Sequence, residues 1–339
     1  MQLNIFTLSS AEIKGTICPG FPAFRHRQLM HWLYQKYVSD PLLMTDLPQD
    51  YKAWLAQNFS FALPQIDQSK IASDGSTKYR LLLADGAKIE MVLIPDGDKK
   101  LTLCVSSQVG CARACSFCAT GRMRLKRNLE THEIVGQIML AASLKPEQRL
   151  TNIVFMGMGE PLDNLPNVLK ALAIIQAEDA LAFSPRRTTI STCGVIPGIT
   201  ALAESGVRCK LAVSLNSAID SVRDELMPIN RLYPLAALKN AITYYLSKSN
   251  FRVTFEYILI PEVNMSATDI KALRKFVGDL SCKVNFIPYN PVQWFPYRKP
   301  DEAEIEAFMA SAKSLNQAIT LRRSRGAEVS GACGQLAAT

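Results

Sequence analysis

From about residue 100 the chain alternates strand-like and helix-like runs, and this alternation constrains the fold more than any other feature. The strand-like runs are Leu101–Ser106, Asn152–Met156, Thr188–Ser191, Lys210–Leu215, Arg252–Ile260, Val284–Pro288 and Ile319–Arg322. Between them lie helix-like runs at Glu130–Ser143, Leu165–Ala177, Ile199–Ser205, Leu235–Lys248, Asp269–Asp279 and Glu302–Leu315. Strands that alternate with helices pair in parallel, with the helices packed outside. Six strand–helix units predict an α/β fold, a partial (β/α)6 barrel short of the eight units that close a barrel. Such folds carry their chemistry on the loops after the C-terminal ends of the strands. At 339 residues the chain has room for one barrel-sized unit, expected over 101–339, plus appendages.

The appendages precede the barrel. Residues 1–62 read as a small helical domain. Gln28–Val38 carries a helical stripe of Leu29, Met30, Leu33 and Tyr37, and Pro48–Phe59 repeats it with Tyr51, Leu55 and Phe59. Arg25, His26, Arg27 and Lys36 give this module a basic side. Residues 63–100 read as a β-hairpin extension, part of a meander that runs on to residue 105 and is punctuated by Asp74-Gly75, Asp85-Gly86 and Asp96-Gly97. Alternation on the strand Ala87–Ile94 puts Glu90 on one face with Val92 and Ile94. Glu90 is then either a partly exposed edge residue or a carboxylate held near chemistry, where partial burial raises its pKa toward proton transfer.

Hydrophobic residues make up 48% of the chain, enough for a sizeable core, and no apolar run approaches the length of a membrane span. The N-terminal residues lack a signal-peptide charge pattern, so the chain reads as cytoplasmic. Nine cysteines in such a chain argue for metal or redox chemistry and against a disulfide scaffold. The net charge of +8 favours an anionic partner, nucleic acid first. Three basic runs, at Arg122/Arg124/Lys126/Arg127, Arg186/Arg187 and Arg322/Arg323/Arg325, are candidates for phosphate contact beside the active-site loops.

The first strand leads into Cys111, Cys115 and Cys118, spaced C-x3-C-x2-C. Three thiolates on one short loop can hold three irons of a four-iron cluster and leave the fourth open. The same triplet can be part of a zinc site, with a fourth ligand from Cys104 or a histidine. Successive strand ends carry Gly157-Met158-Gly159-Glu160, then Ser191-Thr192-Cys193-Gly194, Ser214-Leu215-Asn216 and Pro288-Tyr289-Asn290. The two glycines allow a ligand close to the backbone, and the polar side chains offer hydrogen bonds; jointly they look like one pocket. Cys104 lies on the first strand. Cys333 lies among small residues near the C-terminus, either a mobile reactive thiol or a small buried hydrophobe. Cys18, Cys193, Cys209 and Cys282 read as packing residues.

Together these motifs resemble the radical S-adenosylmethionine (SAM) RNA-adenine methyltransferases, the RlmN/Cfr family. The resemblance spans nearly the whole chain: Phe24-Arg25, Trp32-Leu33-Tyr34, Leu103 to Cys111, Phe155 to Leu162, Met227-Pro228-Ile229-Asn230 and Ala332-Cys333-Gly334-Gln335-Leu336. It implies a radical SAM barrel in which Cys111, Cys115 and Cys118 hold a [4Fe–4S] cluster. Gly159, Glu160, Ser191, Ser214, Leu215, Asn216 and Asn290 would line the SAM site. Two SAM molecules would be used per turnover. One methylates Cys333; the other yields a 5′-deoxyadenosyl radical that takes a hydrogen from that methyl group. The carbon radical adds to adenine, and Cys104 then attacks Cys333 to release methylated RNA and leave a disulfide. Glu90 matches the family's proton acceptor, although one extra residue separates it from Cys104 here. The implied partners are 23S rRNA, tRNA and a flavodoxin-like electron donor, with a monomer expected and no membrane. Val109 and Glu160-Pro161 resemble the branch that methylates adenine C2 more than the resistance branch that methylates C8. Asn216 stands where His is commoner, and Cys193 where Ser is, so the SAM pocket departs slightly from the family pattern.

Overall fold

The computed structural model describes residues 2–16 and 20–338. Its centre is one ten-stranded sheet in which spatial order follows chain order throughout. The strands are β1 (Gln65–Ile71), β2 (Thr77–Leu82), β3 (Lys88–Pro95), β4 (Lys100–Cys104), β5 (Arg149–Phe155), β6 (Thr188–Thr192), β7 (Lys210–Ser214), β8 (Val253–Leu259), β9 (Cys282–Pro288) and β10 (Ala318–Leu321). Pairing is antiparallel from β1 to β4 and parallel from β4 to β10. The helices α4 (Thr131–Leu144), α5 (Leu165–Gln176), α6 (Ile196–Glu204), α7 (Leu235–Lys248), α8 (Ala267–Val277) and α9 (Glu302–Ala312) fill the parallel crossovers, as the alternation predicted.

The local reasons are legible in the chain. Ser266 with Asp269 and Asp301 with Glu304 form capping boxes that satisfy the first N–H groups of α8 and α9. Strand β8 is a nearly continuous apolar run because helices cover one face and the barrel interior the other. Residues of β3, β4 and β5, of β9 and of the segment just after β10 border one cavity, so the sheet curls round until its ends approach each other. β10 makes no ladder back to the other edge, which leaves a partial barrel.

The meander is not a separate sheet, since β3 pairs directly with β4. All three Asp-Gly dipeptides fall at turns, with Gly75, Gly86 and Gly97 at positive φ. The pattern did not foretell β1. It is an edge strand exposed along its whole length, so its polar residues carry no alternation. The N-terminal module comprises α1 (Ser10–Thr16), α2 (Phe24–Tyr34) and α3 (Gln49–Asn58). Leu29, Met30, Leu33, Tyr51 and Leu55 are buried as the stripes required. Phe59 is buried too, but beyond the helix, in a short parallel pairing with Leu3. Gln35 donates to the Ala180 carbonyl at 2.9 Å, tying the module to the barrel. Among the described residues no helix is long and apolar enough to cross a membrane.

Candidate active site

The cysteine loop leaves the C-terminal end of β4, where a barrel puts its chemistry. Gly110 has φ +79°, and a Cβ there would fall 1.8 Å from the Arg124 carbonyl oxygen, so the loop closes on itself only with glycine at this point. Cys118 N–H donates to the Cys115 carbonyl at 3.2 Å, and Ser116 N–H donates to Leu226 at 2.9 Å. These bonds aim Cys111, Cys115 and Cys118 into one cavity. Burial pushes all three thiols up, Cys111 to about 12, so a bound cation is what makes them thiolates. No three His, Cys, Asp or Glu among the described residues are close enough to share a single ion. Three thiols spread round a cavity suit a cluster, in which each binds a different iron.

The strand ends complete the ring. Gly159, Glu160, Ser191, Ser214 and Asn216 line the same cavity as the three thiols. Glu160 is buried; its carboxylate accepts from Cys193 N–H at 2.8 Å and Leu162 N–H at 3.0 Å, while burial pushes its pKa up. Asn216 sits at φ +58° and accepts from Ile258 N–H at 2.9 Å, which links the ends of β7 and β8. Leu215 is fully buried, and its carbonyl accepts from Arg223 at 3.1 Å. Asn290 donates to the Cys333 carbonyl at 3.2 Å and to Ser324 Oγ at 2.8 Å.

Cys333 borders two cavities, the one ringed by the cluster thiols and the one that ends at Cys104. It is partly exposed, on a tail that is docked: Ala119 N–H donates to Gly334 at 2.7 Å and Thr120 Oγ1 to the Leu336 carbonyl at 2.6 Å. Cys104 is buried, and its thiol is pushed up to about 12 by burial and by Cys333, against the pull of Arg322. Both are free thiols. Glu90 is no edge residue. It is 3% exposed, pairs with Lys78 at 2.9 Å and accepts from Ala337 N–H at 2.9 Å.

Two further residues belong here: Arg322, which the sequence grouped with a basic run, and Glu256, which it did not single out. Arg322 lines both cavities and faces Cys104, Cys333 and Glu256. Glu256 is the one acid on β8; burial pushes its pKa up, and its Oε2 is buried without a partner at the cavity wall. An acid inside an apolar strand was the available signal. The orphaned oxygen fits an amine or hydroxyl of a bound cofactor.

Several expectations are corrected. Gly157 and Gly159 line the cavity, and their lack of a side chain also gives room to the chain: a Cβ would lie 2.6 Å from the Val105 carbonyl oxygen at Gly157 and 2.5 Å from Gln108 Cβ at Gly159. Arg186 and Arg187 precede β6, at the end of the parallel strands opposite the site. Arg322 points inward, while Arg323 pairs with Glu302, so that run is not one basic face. Cys193 lines the cavity, whereas Cys209 and Cys282 are buried as expected. Cys18 lies outside the described residues.

Comparison with known proteins accords with this geometry. Residues 105–274 match the radical SAM superfamily, and residues 4–60 match the ribosomal RNA large subunit methyltransferase N-terminal domain. The dual-specificity RNA methyltransferase RlmN of Geobacter sulfurreducens is 43% identical over 336 residues, covering 99% of this chain and 92% of that protein. That of Campylobacter lari is 42% identical, covering 98% and 97%. The crystal structure of a radical SAM methyltransferase from Sphaerobacter thermophilus superposes with a TM-score of 0.94 at 39% identity, covering 99% and 100% of the two chains. A radical SAM fold implies a [4Fe–4S] cluster and SAM, and the thiol set and the orphaned Glu256 oxygen fit both. The chain belongs to the RlmN-type radical SAM methyltransferases, SAM-dependent enzymes that modify RNA.

Proposed function

We propose that this enzyme methylates C2 of one adenine in 23S rRNA and of the adenine 3′ of the anticodon in tRNA, with Cys333 as methyl carrier and Cys104 as resolving thiol. The observation that carries this reading is the position of Cys333, which borders both the cluster-thiol cavity and the cavity ending at Cys104. When bound, the cluster and SAM supply a methyl group and the one-electron chemistry that an unreactive aromatic carbon requires, one SAM for each task. Cys111, Cys115 and Cys118 hold the cluster. Glu160, Ser191, Ser214, Leu215, Asn216 and Asn290 bound the SAM site, with Gly159 shaping the turn that presents Glu160. Cys333 gives its proton up and takes the methyl group on sulfur. Once that carbon is joined to adenine and the adduct has given up one electron, Glu90 accepts the proton from the ring. Cys104 as thiolate then attacks the Cys333 sulfur, forming the Cys104–Cys333 disulfide as the bond to the RNA-bound carbon breaks, and that carbon takes up a proton to become the methyl group. A thiol reductant returns the pair to the free thiols. A flavodoxin-like protein supplies the electron.

The N-terminal module over 1–62 and the hairpin extension over 63–100 serve RNA binding beside the core over 101–339. The target adenine leaves its stack to enter the site. The printed names of the relatives, dual-specificity RNA methyltransferase RlmN, support an RNA methyltransferase of dual specificity. The test is anaerobic reconstitution with iron and sulfide, then SAM, a reductant and unmodified 23S rRNA fragment or tRNA. The RNA is digested and methyladenosine isomers are separated by mass spectrometry. We expect 2-methyladenosine from both RNAs; 8-methyladenosine would overturn the C2 assignment, and product from rRNA alone would overturn the tRNA half.

A further inference from the structure

We propose that Trp294, backed by Arg122, is a stacking platform for an unpaired RNA base next to the target adenine. The chain has three tryptophans. Trp32 is held by its indole N–H on Asp46, and Trp54 is stacked on Tyr51. Trp294 is different, being 42% exposed on the loop after β9. Large rings are usually buried, so one held in solvent beside an active site requires a reason.

Nor is the loop a loose one. Asn290 donates to the Cys333 carbonyl, and Gln335 Nε2 donates to the Pro291 carbonyl at 3.1 Å, which ties its start to the tail. Val292 is buried, and Tyr297 OH lies 3.0 Å from Ser116 Oγ, between two cluster cysteines. Tyr289 and Tyr297 pack edge to face with ring centroids 5.8 Å apart. Trp294 is thus presented from a segment braced on both the cluster loop and the Cys333 tail. The Arg122 guanidinium carbon lies 5.9 Å from the Trp294 ring centroid. Arg122 ends the short helix Ala119–Arg122, whose first N–H holds Gly334. Arg124, Leu125 and Lys126 follow it, all exposed.

An aromatic ring with a guanidinium against it, on a basic strip, is the chemistry that recognises single-stranded nucleic acid. Bases splayed from a loop stack on aromatic and Arg planes. Taking one adenine out of the stack strips its neighbour of a partner, and Trp294 offers a replacement face beside the entrance. A ring already braced loses little freedom on binding, so the contact goes into affinity. The inference rests on the reading that the target adenine enters the site unstacked.

The test uses the reconstituted holoenzyme under anaerobic conditions and a short RNA stem-loop carrying the target adenine. Trp294→Ala should raise KM for RNA roughly 5- to 100-fold and leave kcat, iron content and SAM binding near wild type. Trp294→Phe keeps a ring, so it should restore most of the affinity while abolishing the change in tryptophan emission that RNA causes in wild type. Arg122→Ala should weaken binding less and flatten its salt dependence. A wild-type KM in Trp294→Ala, or an equal emission change in Trp294→Phe, sinks the platform. So does a fall in kcat with loss of iron, which would make Trp294 a prop for the cluster loop. Wild-type enzyme that modifies RNA while Trp294→Ala matches it refutes the platform alone; wild-type enzyme that modifies no RNA overturns the reading beneath it.

Discussion

The two groups of cysteines in the site are positioned in opposite ways. Cys111, Cys115 and Cys118 share one loop, closed by Gly110 against Arg124 and stitched by its own backbone bonds. Cys104 and Cys333 come from the first parallel strand and the last residues of the chain, and meet only because the tail lies along the seam of the barrel. The tail is held by a few bonds: Gly334 to Ala119, Leu336 to Thr120, Gln335 to Pro291 and Ala337 to Glu90. Each such bond nets about 0.5–1.5 kcal/mol and Leu336 is buried besides, so lifting the tail costs several kcal/mol. Opening the cluster loop would instead break the Gly110 turn and expose three partly buried thiols. The protein keeps a fixed metal-holding centre and a displaceable carrier side by side.

That contrast can be broken most directly with the cysteines themselves. Alanine at Cys111, Cys115 or Cys118 should abolish both bound iron and methylation. Alanine at Cys104 or Cys333 should abolish methylation with iron at wild-type content, and Cys104→Ala should accumulate protein bound covalently to RNA. Iron analysis and denaturing gels read both; loss of iron from Cys333→Ala would erase the distinction between the groups. Arg322 gives the next largest effect. Its charge opposes the burial that holds Cys104 at about 12. Removing a nearby cation raises a thiol pKa, so the thiolate fraction at neutral pH falls. Arg322→Ala should lower kcat roughly tenfold or more and move the alkaline rise of the rate to higher pH. Arg322→Lys should recover part of it. An unchanged pH profile would leave Arg322 no electrostatic role.

What the sequence revealed and what it hid follow the same line. The cluster loop is local, so spacing alone located it. The strand-end residues were found because each closes an apolar run, and parallel topology brings all such ends together. Cys104 and Cys333 were paired through resemblance, since no local pattern joins residues so far apart. Arg322 was read as one of a basic run, because charge alone does not say which member of a run turns inward; β10 decides that. Glu256 escaped although it breaks an apolar strand, and β1 escaped because an exposed edge leaves no periodic trace. Arg186 and Arg187 were misplaced because distance along the chain from a loop is not distance across a barrel.

The smallest effect concerns how the fixed centre is anchored at its far end. Arg127 follows the cluster loop and donates to Asp85 in the β2–β3 turn at 2.7 Å and to both oxygens of Glu133 on α4 at 2.7 and 2.8 Å. The guanidinium holds the Asp85 carboxyl down from 3.8 to about 2. A depressed carboxylate pKa adds stability above its unfolded value, and that stability disappears as pH falls through the folded value. Asp85→Asn should therefore be less stable than wild type above about pH 4, with the gap closing toward pH 2. About half of the Asp85 side chain is exposed, so screening keeps the gap below about 1 kcal/mol and high salt should shrink it. Acid dissolves iron–sulfur clusters, so the comparison belongs to the metal-free protein, followed by denaturant unfolding at each pH. A gap that widens toward acid would mean that Asp85 is not held as a carboxylate by Arg127, and that the cluster loop is anchored through Glu133 alone.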